Sequence, residues 1–83
     1  MTKLTDVRGI GPTTTEWLNE IGIHTLEDIQ ALGAVETYKR LKRAFPKFVT
    51  LNALWGLEAV LSDIDWRDIT PERKAELRML IED

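Results

Sequence analysis

The sequence predicts an all-α domain of five to six short helices. Three observations predict it. Apolar residues recur at helical spacing, as in Val35, Tyr38, Leu41 and Phe45. Threonines suited to helix caps, Thr25, Thr50 and Thr70, precede three candidate helices. Gly22, Gly33 and Pro46 stand where helices must stop. No alternating run is long enough to need a strand; Phe48-Val49-Thr50-Leu51 is the nearest and is too short.

The elements follow in order. A first short helix is predicted near Lys3–Val7, with Thr2 before it. Gly11 as N-cap and Pro12 at the first helical position start a second helix, since that proline loses no hydrogen bond. It runs to about Ile21, and Gly22 stops it. Thr25 opens a third, with Glu27 and Asp28 in its positive first turn, and Gly33 ends it. A fourth spans about Val35–Phe45. A fifth spans about Leu51–Ser62 behind Thr50, and it is apolar nearly all round, which places it centrally or in an interface. The last opens at Thr70-Pro71-Glu72 and runs to about Glu82, with Leu77, Leu80 and Ile81 inward. The expected core is Leu18, Ile21, Ile29, Leu32, Tyr38, Leu41, Leu54, Leu57, Leu61, Trp66 and Leu80, with Trp55 beside it. Glu58 is odd in so apolar a helix, so it needs backbone N–H groups or an arginine as partner.

Composition bounds the function. The 83 residues form a single domain, 1–83, of a size that buries about 60% of its unfolded surface. There is no cysteine, which excludes disulfides, thiolate zinc sites and cysteine nucleophiles. His24 is the single histidine, and no nucleophile or metal set accompanies it. The expectation is therefore no enzyme, no cofactor, no metal and no small-molecule substrate. No run of about 18 apolar residues exists, so no membrane span is expected. Met-Thr-Lys-Leu-Thr-Asp has no apolar signal region, which makes the cytoplasm the default location.

Charge is unevenly distributed over a net −3. Residues 1–36 set Lys3 and Arg8 against six acids. Residues 58–83 set four cations against eight acids. Between them Lys39, Arg40, Lys42, Arg43 and Lys47 stand with no acid from residue 37 to 57. Such a run suits a few phosphates or an acidic partner, or simply a solvated helix face. As a solvated face, Lys39, Arg40, Lys42 and Arg43 are expected to be removable with the fold intact.

The segment Leu4-x-x-Val7-x-Gly9-Ile10-Gly11-Pro12, a helix, and then Ile21-Gly22-Ile23-x-Thr25-Leu26 resembles a helix-hairpin-helix unit in the N-terminal half. Gly9, Ile10 and Gly11 turn the chain tightly and leave N–H groups at the positive end of a helix, where a DNA phosphate fits. Thr13 adds a hydroxyl but no cation, and Glu16 follows in the same helix. The competing reading is a plain turn.

Three longer stretches are similar to the C-terminal domain of the TfoX/Sxy family, bacterial regulators of natural competence. They are Val7-Arg8-Gly9-Ile10-Gly11-Pro12 through Trp17-Leu18, Ile21 through Ile29 and on to Glu36, and Leu51 through Glu58 to Ile64-Asp65-Trp66. The resemblance covers nearly the whole chain. It implies an all-helical fold and a non-enzymatic regulatory role related to DNA transformation. Two modes of action are open at this point. One is weak, sequence-nonspecific nucleic-acid binding through Gly9, Ile10, Gly11, Thr13, Lys39, Arg40, Lys42, Arg43 and Lys47. The other is a protein partner or self-association without DNA contact. The oligomeric state is left open.

Overall fold

The computed structural model describes residues 1–82. It holds five α-helices: α1 (Pro12–Glu20), α2 (Leu26–Leu32), α3 (Ala34–Ala44), α4 (Leu51–Ser62) and α5 (Pro71–Ile81). Two short 3-10 helices, Leu4–Asp6 and Trp66–Asp68, complete the order. Among the described residues there is no strand, only an isolated bridge between Lys3 and Thr25. The all-α expectation holds, with the first predicted helix reduced to one 3-10 turn.

Local chemistry explains the boundaries. Thr25 and Asp28 form a reciprocal capping box: Asp28 N–H donates to Thr25 Oγ1 at 3.2 Å, and the Asp28 carboxylate accepts from Thr25 N–H at 3.2 Å. Thr70 Oγ1 caps α5 by accepting from Arg73 N–H. Thr50 sits at the N-cap of α4, but its side chain makes no capping hydrogen bond. Gly33 lies between α2 and α3 with φ at 85°, a left-handed value that glycine takes without steric cost. At the other end of α4, Asp63 takes the left-handed role that sequence reasoning did not assign.

α3 packs most extensively on α4 and also touches α2 and α5, so it is the hub. Leu18, Ile29, Leu41, Leu54, Leu57 and Leu77 are fully enclosed around it. Leu4, from the first 3-10 turn, and Ile23, Val49 and Ile69, from outside any helix, join them where α-helical periodicity has no purchase. Ile21, Leu32 and Leu61 are only partly buried against this cluster. Two expected core residues are outside it. Trp66 is 54% exposed, because it lies in a one-turn 3-10 helix from which Ile69 takes the inward place. Leu80 is 49% exposed, because α5 covers one side of the domain through the i, i+4 pair Leu77 and Ile81.

Candidate functional site

The Gly9-Ile10-Gly11 loop starts from Gly9, whose φ is 98°. Gly11 is the N-cap of α1, with Pro12 in the first turn, no acid there and no side-chain cap. The Gly11 carbonyl accepts from Thr15 N–H at 3.0 Å and from Thr15 Oγ1 at 2.9 Å. Thr13 is exposed, and so is Glu16. One side of the loop rests on α4. A Cβ built on Gly9 would stand 3.4 Å from Val60 Cγ2, and one built on Gly56 would stand 3.9 Å from the Gly9 carbonyl oxygen.

The basic residues divide into different roles. Lys42 Nζ donates to the carbonyls of Val49 at 2.7 Å and Pro46 at 3.0 Å, so it ties down the chain that leaves α3. These contacts give Lys42 a structural role in that turn which the sequence reading did not assign to it. Arg40 pairs with Glu36 at 3.5 Å on the exposed helix face. Arg43 and Lys47 are exposed, and Lys39 is half-buried. Arg40 and Arg43 line a shallow depression beside Ile21, at the C-terminal end of α1. The glycine loop lies at the opposite end, and nine helical residues span about 13 Å. The loop and the arginines are therefore not one convergent site.

A pair of grooves beside the loop is a feature that sequence reasoning missed. A groove of about 270 Å³ runs between α1 and α4, lined among others by Gly9, Thr14, Trp17, Phe48, Asn52 and Gly56. A second, of about 750 Å³, continues beyond Gly9 and Gly56 and is lined among others by Arg8, Leu26, Val60, Asp63, Ile64 and Trp66. The two share Gly9 and Gly56, where the loop packs on α4, and together make a channel that is interrupted at that contact. Phe48, 68% exposed, flanks one end and Trp66 the other. The walls come from four separate segments, and no local pattern announces such a surface.

Several titratable groups are engaged structurally. Arg67 clamps Asp65 through Nη2 at 3.0 Å and Nε at 3.2 Å, and its side-chain hydrogen bonds hold the Asp65 carboxyl down at about 2. Glu58, buried in α4 as its sequence context demanded, accepts from Arg73 Nε at 2.8 Å and Nη2 at 3.4 Å. These hydrogen bonds raise the Arg73 pKa above its ordinary value. His24 is exposed, with Nδ1 2.9 Å from Asn19 Oδ1. Among the described residues no three potential ligands are grouped to hold a metal ion, and no helix is long and apolar enough to cross a membrane.

A crystal structure of an uncharacterized protein from Listeria monocytogenes has the same fold. The TM-score is 0.84 at 25% identity, over 93% of this chain and 86% of that one. No curated protein matches the chain. The model of the TfoX C-terminal domain matches residues 1–80, carrying the motif stretches, the helices and the channel together, and the chain belongs to that family.

Proposed function

We propose that this is a non-enzymatic, cytoplasmic regulatory domain related to DNA transformation, acting by docking a protein in the channel between Phe48 and Trp66. Family membership supports the competence-related setting. The observation that carries the mode of action is the channel itself, flanked by two exposed aromatics. Aromatic anchors beside a concave surface are what protein interfaces use, whereas an overall negative chain with aspartates along the groove repels phosphates. A photo-crosslinking residue at position 66 tests it in living cells. A protein adduct from position 66, absent from a control at exposed position 79, is the expected result. No protein adduct from position 66 overturns the reading.

A second reading rests on Arg43 and Lys47, which are exposed and make no ion pair among the described residues. With Arg40 they supply a field for weak, sequence-nonspecific nucleic-acid binding. Anisotropy titrations with duplex and single-stranded DNA over a salt series decide it. Phosphate contacts weaken binding with a slope of about 0.9 per contact on a log–log plot.

A further inference from the structure

No helix breaker stands where α4 ends. Residues 57–70 hold neither glycine nor proline, and Pro71 is the next breaker in the chain. The break is made by one residue. Asp63 takes φ 55° and ψ 44°, a left-handed conformation that is unfavourable for a residue with a Cβ. The Asp63 N–H donates to the Val60 carbonyl at 3.3 Å, and the Ile64 N–H donates to the Ala59 carbonyl at 3.0 Å. In a continuous helix the same two N–H groups reach the same two carbonyls in exchanged order. Straightening this joint therefore loses neither hydrogen bond and relieves an unfavourable φ.

Beyond the joint lies an arm with a shaped seat. Ile69 and Leu77 of the arm are buried. Arg73 grips the enclosed Glu58, and Lys74 Nζ stands 5.5 Å from the centre of the Trp55 ring. An arm lifted from its own chain opens the core at Leu77 and strands the Glu58 carboxylate. The same arm of another copy refills that seat with identical contacts, so no new complementarity is required. Ile64 and Trp66 flank the joint and are 43% and 54% exposed. Two straightened joints running side by side across a two-fold axis would cover these apolar side chains.

We infer that Asp63 is a hinge through which two copies of this chain exchange residues 64–81, each α5 seated on the α4 of the other copy. The inference is independent of the docking reading above, because the surface it uses is the one that α5 already occupies.

Sedimentation equilibrium over a concentration series tests this. The parent chain should move from monomer to dimer, with no larger species. Asp63→Gly favours the bend and should keep the arm at home, whereas Asp63→Ala favours the straight helix and should drive exchange. Two hinges straighten per dimer, so the association constant of Asp63→Ala should exceed that of Asp63→Gly by at least about tenfold. A contact between ordinary surfaces has no reason to respond in these opposite directions. Mixing adds a second measurement. Glu58→Arg and Arg73→Glu each place like charges in the seat, but an exchanged pair of the two chains holds opposite charges in both seats. Equal amounts should form a heterodimer, and chains too weak to fold alone should gain helical circular dichroism on mixing. A parent chain that stays monomeric at millimolar concentration overturns the inference, as does a dimer equally strong in Asp63→Gly and Asp63→Ala. A mixture that gains neither heterodimer nor helix overturns it as well.

Discussion

Arg73 of α5 reaches across to α4 and grips Glu58 with two guanidinium nitrogens, at 2.8 Å and 3.4 Å. This pair fastens the last helix to the most apolar one. Glu58 is enclosed, while the Arg73 side chain is 43% exposed. Removing the arginine strands a buried carboxylate, left with a 3.4 Å contact from Ser62 Oγ.

Arg73→Met should therefore destabilise the domain by about 2–3 kcal/mol, below the usual cost for a fully enclosed pair because water reaches the arginine. Pairing it with Glu58→Leu should recover most of that loss, since no charge is then left stranded. Urea denaturation of both variants measures it. A double variant no better than the single would show that the pair's net attraction, and not the stranded carboxylate, sets the cost.

Acid should loosen the fold in a narrow interval. The Asp65 carboxyl is held down from its ordinary 3.8 to about 2. Arg67 also pairs with it in space. A depressed folded value means the contribution is present above the unfolded value and lost as pH falls through the folded one. Asp28 and Glu27 are lowered in the same direction, chiefly by the His24 and Thr2 backbone N–H groups respectively. The urea midpoint should fall between about pH 4 and pH 2. Asp65→Asn should show a shallower fall across that interval.

The two glycines shared by the grooves should respond oppositely to a methyl group. Gly56 lies inside α4, and an added Cβ meets only the Gly9 carbonyl oxygen at an ordinary 3.9 Å. Gly56→Ala should stabilise by about 0.5–1 kcal/mol through helix propensity and reduced unfolded-state entropy. Gly9→Ala should destabilise by more than about 1 kcal/mol, because φ is 98° and Val60 stands at 3.4 Å. Thermal melts of the two variants should shift in opposite directions.

Lys42 should behave as a fold residue. Lys42→Met keeps the aliphatic stem and loses both carbonyl contacts, at a cost of about 1–3 kcal/mol. Amide hydrogen exchange should accelerate across residues 46–50. Arg43→Met, which touches no such carbonyl, should leave both stability and exchange near the parent's.

Much of this architecture is legible in the chain. Pro12, the Thr25–Asp28 box and the Thr70 cap act within four residues of themselves, so local sequence suffices to place α1, α2 and α5. Even the need of Glu58 for a partner follows from its apolar neighbours. What escapes is set by distance. Val49 and Ile69 are core residues outside any helix, and their burial depends on where helices far away are placed. Trp66 is apolar by type yet faces outward, because a single 3-10 turn fixes its direction. Lys42 reads as one cation in a basic run, and only the turn at Pro46 shows which carbonyls its ammonium group reaches. The channel is the extreme case, since Gly9, Phe48, Gly56 and Trp66 share nothing in sequence.

The clasp at the start of the chain sets an order of events. The Thr2 carbonyl accepts from Leu26 N–H at 2.9 Å, Thr2 N–H reaches the Glu27 carboxylate at 2.6 Å, and Lys3 bridges to Thr25. Helices α2 and α3, by contrast, meet through the single residue Gly33. A link across some two dozen residues carries a loop-closure cost that neighbouring helices do not. The clasp should accordingly close late in folding and open early in unfolding. The Leu26 amide should then exchange with solvent through a sub-global opening that leaves α3 and α4 intact, and exchange measured at that amide would report the first step by which this domain comes apart.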